Sequence, residues 1–293
     1  MKPSFPGLAA TLAILLAGAA CTNNADGGVV VFDENYTAET IGTISGVPSS
    51  PDGLAWHEGS LYVADEGGSA VRKLGPRGWE TLADARSGIM SPEDIVVDAD
   101  GRIFFTDDSA GGLWTVTDGG AKLVTEAGFG NTPTEGLGIA SSGQLLVGNT
   151  RSRRVGVVDP AAGGPPGDLA SFEIGKPESI AVGSDGTTWV ADNEADLLYK
   201  FAPGAPGPIK LSWPGVSPES IALAGQTLWM TDSYNGKVYR LQGNERLETV
   251  ALFAGKLNNV SGITSDPAGS IYVSIQTDLK AREGTIVALR NRR

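Results

Sequence analysis

The chain has 293 residues, a net charge of −12, one cysteine and one histidine, with 41% hydrophobic residues and 41 glycines. That charge excludes a nucleic-acid backbone or an anionic membrane surface as a partner. A single cysteine excludes a disulfide framework, so the fold must stand on packing alone.

At the N-terminus, Lys2 precedes an apolar run from Leu8 to Ala20 that ends at Cys21. This pattern predicts an export signal of the bacterial lipoprotein type over residues 1–20, with Cys21 as the lipidated residue. The run is shorter than the ~20 apolar residues a spanning helix needs. Membrane attachment is therefore expected only through a lipid on Cys21, and the mature protein is expected to be exported and anchored to the cell envelope. Residues 21–37, rich in Asn, Asp and Gly, read as a tether. Next comes Glu39–Ile44, one strand-like segment with no partners of its own.

From there a phrase repeats six times: a small residue or Pro, usually an acid, one residue, then an aliphatic. The copies are Pro51-Asp52-Gly53-Leu54, Pro92-Glu93-Asp94-Ile95, Thr134-Glu135-Gly136-Leu137, Pro177-Glu178-Ser179-Ile180, Pro218-Glu219-Ser220-Ile221 and Val260-Ser261-Gly262-Ile263. The aliphatics are spaced by 41, 42, 43, 41 and 42 residues (54 to 95, 137, 180, 221 and 263). A period of roughly 40–50 residues with short, β-rich segments marks a β-propeller. In the fourth copy, Ser179–Val182, Thr187–Ala191, Leu197–Phe201 and Pro208–Trp213 read as four strands, with a turn at Gly183–Gly186. The predicted fold is therefore all-β: a six-bladed propeller over residues 38–293, four antiparallel strands per blade. The last copy has only three strands. The segment at 39–44 is expected to complete it by pairing with 284–289, which removes an open sheet edge. Trp114, Trp189 and Trp229 are expected between blades.

A propeller aims equivalent positions at one axis. Asp52, Glu93, Glu135, Glu178 and Glu219 should then ring one mouth of the central channel. The ends of the second strands, Asp65, Asp107, Asn149, Asp192 and Asp232, should form another tier on the same face. Like charges a few Å apart repel by several kcal/mol at an effective dielectric of about 20. Either a cation binds, or some carboxyls rise in pKa. Hard oxygen ligands suit Ca²⁺. Zinc lacks nitrogen and sulfur ligands here, and His57 reads as a surface residue on the opposite face. A third reading is structural, each carboxylate accepting backbone N–H groups of the next blade.

Two phrases carry a family resemblance: Ser91-Pro-Glu-Asp-Ile-Val-Val-Asp-Ala-Asp-Gly-Arg-Ile-Phe-Phe-Thr-Asp-Asp108 and Ile180-Ala-Val-Gly-Ser-Asp-Gly-Thr-Thr-Trp-Val-Ala-Asp-Asn193. Over residues 38–289 the chain resembles the SMP-30/gluconolactonase family and related NHL-repeat propellers. That resemblance implies a divalent cation, often Ca²⁺, held at the channel mouth by one Glu, two Asn and one Asp. By position these places fall on Asp52, Glu135, Glu178 and Glu219, with Glu where the family carries its two Asn. The implied activity is hydrolysis of lactones or small esters by a monomer. Glu219 would serve as general base as well as ligand, and Glu93, Asn149 and Asp192 would contact the small-molecule substrate. The alternative is a non-catalytic, lipid-anchored propeller that binds a protein or glycan partner.

Overall fold

The computed structural model describes residues 22–23, 28–125, 132–160, 167–169, 173–243, 245–276 and 282–292. The export signal and Cys21 lie outside the described residues. The chain forms six antiparallel sheets; in four of them the strands follow one another outward from the axis, and in the last two, N-terminal strands are added at the outer edge. Blade one comprises Pro51–His57, Ser60–Asp65, Ala70–Gly75 and Gly78–Ala83. The innermost strands of blades two to six are Pro92–Val97, Thr134–Ile139, Pro177–Val182, Ile221–Ala224 and Val260–Ser265. Blade four repeats the predicted strands closely, with Thr188–Asp192, Leu197–Phe201 and Ile209–Leu211 outside Pro177–Val182. Gly183 N–H closes the first turn there by donating to the carbonyl of Thr187 at 2.8 Å.

Closure occurs as the strand count requires. Tyr36–Ser45 pairs antiparallel with Glu283–Asn291 and completes blade six, with Glu39 opposite Ala288 and Ile44 opposite Gly284. The segment read as a tether does more than connect. Val29–Val31 pairs with the outer strand of blade five, Val29 opposite Phe253 and Val31 opposite Ala251, and Thr22–Asn23 pairs with it in turn. Both Val29 and Val31 are buried. Three β-branched residues offer the edge of blade five an apolar, pleat-compatible partner, which the polar average of residues 21–37 conceals. Asp33 fastens the same segment through a 2.9 Å ion pair to Arg240.

The core lies between blades. Trp189 packs with Ile221, Leu228 and Met230, and Trp229 with Val260, Ile263 and Val273. Trp114 is half-buried and stacks on Phe105. Hydroxyls and one carboxylate stitch successive blades near the axis. Thr106 donates to the carbonyl of Glu135 (2.5 Å), Thr231 to that of Ser261 (2.6 Å) and Ser274 to that of Asp52 (2.6 Å). Asp94 accepts from Leu137 N–H (2.9 Å), Ser179 from Ile221 N–H (3.2 Å) and Ser220 from Ile263 N–H (3.3 Å). Where no such bond occurs, glycine lets the backbones touch: a Cβ on Gly53 would lie 2.4 Å from the carbonyl of Glu93. These stitches hold the acidic positions of the repeat in place from the neighbouring blade.

Candidate functional site

The first strands of blades one, two, three, four and six slip register at the acidic position of the repeat, for example between Pro51 and Leu54 and between Pro177 and Ser179. Such an irregularity turns a side chain out of the pleat. Asp52, Glu93, Glu178 and Glu219 accordingly line one small cavity at the channel mouth, with Ser261 from blade six. Its free space is about 20 Å³ for water centres, room for a water or a bare cation. Glu135 joins the ring through Lys176. Among the described residues, none of these five carboxylates accepts a backbone N–H.

Backbone N–H groups go instead to the second-strand ends. Asp65 accepts from Ser50 N–H (2.8 Å), Asp107 from Met90 N–H (2.8 Å), and Asp232 from Asn235 N–H (3.1 Å). Asn149 accepts from Ser152 N–H (2.8 Å) and donates to Thr132 (3.0 Å), while Asp192 accepts from Gly175, Lys176 and Ala195 N–H at 2.7, 3.0 and 3.1 Å. Asn149 and Asp192, expected to meet substrate, are thus buried caps that order the loops around the mouth. The structural reading, a carboxylate accepting a backbone N–H of the next blade, describes Asp94 and not the ring, while the second-strand caps take N–H groups of their own repeat.

One residue beyond four of the caps the side chains belong to the mouth instead: Glu66 and Asp108 act on the ring through their charge, Asn193 and Ser233 donate to Glu219, and in blade six Gln276, after Ile275, donates to Asp52 and Glu66. A strand has period two, so neighbours point to opposite sides, and the tier expected at the strand end belongs one residue later. The acidic pairs Asp65-Glu66 and Asp107-Asp108 carried that signal in the sequence.

The mouth is not a uniform ring. On blades one and two, Asp52, Glu66 and Glu93 bring one carboxylate oxygen each within 4.8 Å of one another. Gln276 donates to Glu66 (3.0 Å) and Asp52 (3.3 Å), Ser91 to Glu66 (3.1 Å), and Ser261 to Asp52. On blades three and four, the Lys176 ammonium lies 3.3 Å from Glu135 and 2.9 Å from Glu178. On blade five, Glu219 has only neutral donors, Ser233 at 2.9 Å and Asn193 at 3.3 Å. Lys176 stands just before the repeat phrase of blade four, where the other copies carry Ser50, Ser91, Pro133, Ser217 and Asn259, and its role was not foreseen. The expected metal set is therefore divided: Asp52 lies in the three-carboxylate cluster, Glu135 and Glu178 belong to the lysine, and Glu219 stands alone.

The charges respond as crowding requires. Burial raises Asp52, and burial with the charge of Asp52 raises Glu66. Burial and the charges of Asp52 and Glu135 push Glu93 well above the usual carboxylate range. Burial takes Glu135 up to about 7 against the pull of Lys176. Glu178 rises well above its usual value through burial and the charge of Glu135, and Glu219 rises through burial and the charge of Asp52. Burial works against the Lys176 ammonium, but Glu178 and Glu135 outweigh it and hold the amine firmly protonated. His57, the one histidine, sits at the far end of the strand that begins beside Asp52, with Nε2 3.9 Å from Glu58.

Comparison with known proteins supports the fold and little beyond it. A model of the strictosidine synthase-like N-terminal family matches residues 79–115. No curated protein matches the sequence significantly. Among solved structures, a gluconolactonase from Xanthomonas campestris has 16% identity and a TM-score of 0.68 over 92% of this chain and 94% of its own. Regucalcin from Agrobacterium tumefaciens, described as a calcium-binding protein, has 14% identity and a TM-score of 0.66 over 85% and 93%. Virginiamycin B lyase from Staphylococcus aureus has 14% identity and a TM-score of 0.65 over 87% and 100%. The six-bladed fold implied by the gluconolactonase resemblance is shared by this chain.

Proposed function

We propose that the protein is a divalent-cation-dependent hydrolase of lactones or small esters, acting at the acidic mouth. The observation that carries this reading is the convergence of Asp52, Glu66 and Glu93. Ca²⁺–oxygen distances of about 2.3–2.6 Å place ligand oxygens up to about 5 Å apart, and the three oxygens lie within 4.8 Å of one another. Their donors are side chains that can turn, not fixed backbone N–H groups, so the oxygens are free to ligate. A cation held there would supply Lewis-acid polarisation of a substrate carbonyl. Similarity in fold to a gluconolactonase and to a calcium-binding regucalcin agrees with this reading.

The other residues of the mouth divide the remaining work. Glu219 lines the same cavity and is oriented by Ser233 and Asn193. Its raised pKa suits a carboxylate that takes a proton from water near neutral pH. Lys176 neutralises Glu135 and Glu178, so these two hold the lysine in the mouth in place of a metal. Asp192 fixes the backbone of Lys176 from below. The apolar run from Leu8 to Ala20 that ends at Cys21 supports an exported protein tethered by a lipid on Cys21.

Hydrolysis of small lactones and aryl esters, measured with Ca²⁺ and with chelator, tests the reading. The expected result is activity that chelator abolishes and that Glu219→Gln lowers at least a hundred-fold while leaving Ca²⁺ affinity within a few-fold. Ca²⁺ binding without turnover of any ester would point to the binding-module alternative. Turnover indifferent to both chelator and Glu219→Gln would sink the proposal.

A further inference from the structure

The far end of the channel holds a second cavity of about 230 Å³, lined by the innermost strands of all six blades. At its outer rim, four residues beyond each acidic position of the repeat, stand Trp56, Val97, Ile139, Val182 and Leu223, all half-buried. At its inner end the lining turns polar. Asp94 stands there, with Ser179 and Ser220 at the equivalent positions of blades four and five. Asp94 and Ser220 also line the cavity of the mouth, so this level is the partition between the two spaces.

These three side chains share one structural task. Asp94 accepts from Leu137 N–H, Ser179 from Ile221 N–H and Ser220 from Ile263 N–H, each across to the next blade. The two serines show that a hydroxyl suffices for this bond. At the same position blades one, three and six carry Gly53, Gly136 and Gly262, with no side chain at all. The carboxylate of Asp94 therefore adds something the stitch does not need: a negative charge on the cavity wall. Its other bond is also to a neutral amide, Ile95 N–H at 2.9 Å, so each oxygen accepts one N–H and keeps a second lone pair. Asp94 is half-buried and is the one titratable group of the lining. Among the described residues, no ammonium or guanidinium pairs with it. The acidic ring lies one residue back along the same strands and deepens the negative potential on the axis.

A cation that enters meets three acceptors at the inner end, Asp94, Ser179 and Ser220, which matches the three N–H donors of an ammonium. The apolar rim then surrounds the rest of the guest. An apolar cavity of about 150 Å³ holds benzene, so about 230 Å³ takes a body of roughly six carbons together with its charged head.

We propose that this cavity binds a small primary amine as its ammonium ion, with the charged head on Asp94 and a short carbon body among the rim side chains. The site is distinct from the cluster of Asp52, Glu66 and Glu93, and its occupancy requires neither a metal ion nor hydrolysis at the mouth.

Calorimetry at pH 8 with n-hexylammonium and with 1-hexanol, on the intact protein, tests it. The ammonium should bind saturably and at least ten-fold more tightly than the alcohol, because a hydrogen bond between two charged groups is stronger than a neutral one. Asp94→Ser keeps the bond that Ser179 and Ser220 make in their blades and removes the charge. It should fold and lose at least ten-fold in hexylammonium affinity. Glu66→Gln, at the mouth, should stay within a few-fold of the parent. If Asp94→Ser fails to fold, Ala222→Leu, which fills part of the bore, should weaken hexylammonium at least ten-fold instead. No saturable ammonium binding, hexanol binding as tightly as the ammonium, full affinity in a folded Asp94→Ser or Ala222→Leu protein, or affinity lost in Glu66→Gln and kept in Asp94→Ser would each overturn the inference.

Discussion

The two ends of the innermost strands are four residues apart and chemically opposite. Glu178 stands at one end of its strand and Val182 at the other, and four further blades repeat the contrast. Blade six departs at both ends, with Ser261 and Ser265. At the apolar end the repeats stay equivalent, because one aliphatic beside another costs nothing. At the acidic end they cannot. Five similar carboxylates fall into three environments: a convergent cluster completed by Glu66, a pair clamped by Lys176, and Glu219 among neutral donors. Charge, not packing, breaks the symmetry of the propeller, and function is to be sought where it is broken.

Both ends exist only while the ring is closed, so the largest effect should come from opening it. Deleting residues 22–46 removes the strand that completes blade six and should abolish cooperative unfolding or cause aggregation, seen by calorimetry and light scattering. Deleting only 22–34 removes Val29 and Val31 from blade five but leaves the ring closed. It should lower stability by about 2–4 kcal/mol in urea melts, since two buried valines are lost.

Next in size is the loss of the lysine clamp. Lys176→Met leaves Glu135 and Glu178 buried without a counter-ion. Breaking a fully buried pair costs about 3–5 kcal/mol, and the 36% exposure of Lys176 reduces this to roughly 2 kcal/mol at pH 7.5. At pH 5, where the glutamates take up protons, most of that loss should vanish.

The acidic end should also govern pH dependence. Its carboxyls have raised pKa values in the folded state, with Glu135 and the buried Asp94 at about 7, against ordinary values of 4.5 and 3.8 in the unfolded chain. Between about pH 4 and 7 the folded state therefore binds more protons than the unfolded one, and stability falls as pH rises. In chelator, the melting temperature should be several degrees higher at pH 5 than at pH 7.5. Ca²⁺ should recover the difference at pH 7.5 and have little effect at pH 5. A flat profile would mean that the carboxylates are solvated and the contrast between the ends is weaker than drawn.

The smallest effect concerns single members of the cluster. In chelator, Glu93→Gln removes a charge pressed by Asp52 and Glu135, so it should stabilise the protein at pH 7.5 by about 0.5–1 kcal/mol. With Ca²⁺ present the sign should reverse.

The fold was legible because the repeat states it six times, and because counting strands leaves one stray segment that only blade six can use. The short edge strand Val29–Val31 was hidden because three residues carry no periodicity of their own and take their partner from the edge of blade five. In the site, Asp52, Glu93 and Glu219 could be placed at the mouth from their position in the repeat. Glu66 could not, because a one-residue difference in a strand reverses direction, and the expected tier was set on the buried caps Asn149 and Asp192. Lys176 lay outside the repeated phrase. A lone cation before Pro177 gives no local sign that its chain spans two blades, and only tertiary geometry shows it between Glu135 and Glu178.

The central claim is that the symmetry of the ring is broken so that Asp52, Glu66 and Glu93, and not the five repeat carboxylates together, hold a divalent cation. Titration calorimetry with Ca²⁺ at pH 7.5, on the parent protein and on Glu66→Gln and Glu135→Gln, tests it directly. The expected result is one site of micromolar affinity, weakened at least thirty-fold in Glu66→Gln, about 2 kcal/mol, and within a few-fold of the parent in Glu135→Gln. No binding by the parent, or binding lost in Glu135→Gln and kept in Glu66→Gln, would contradict it.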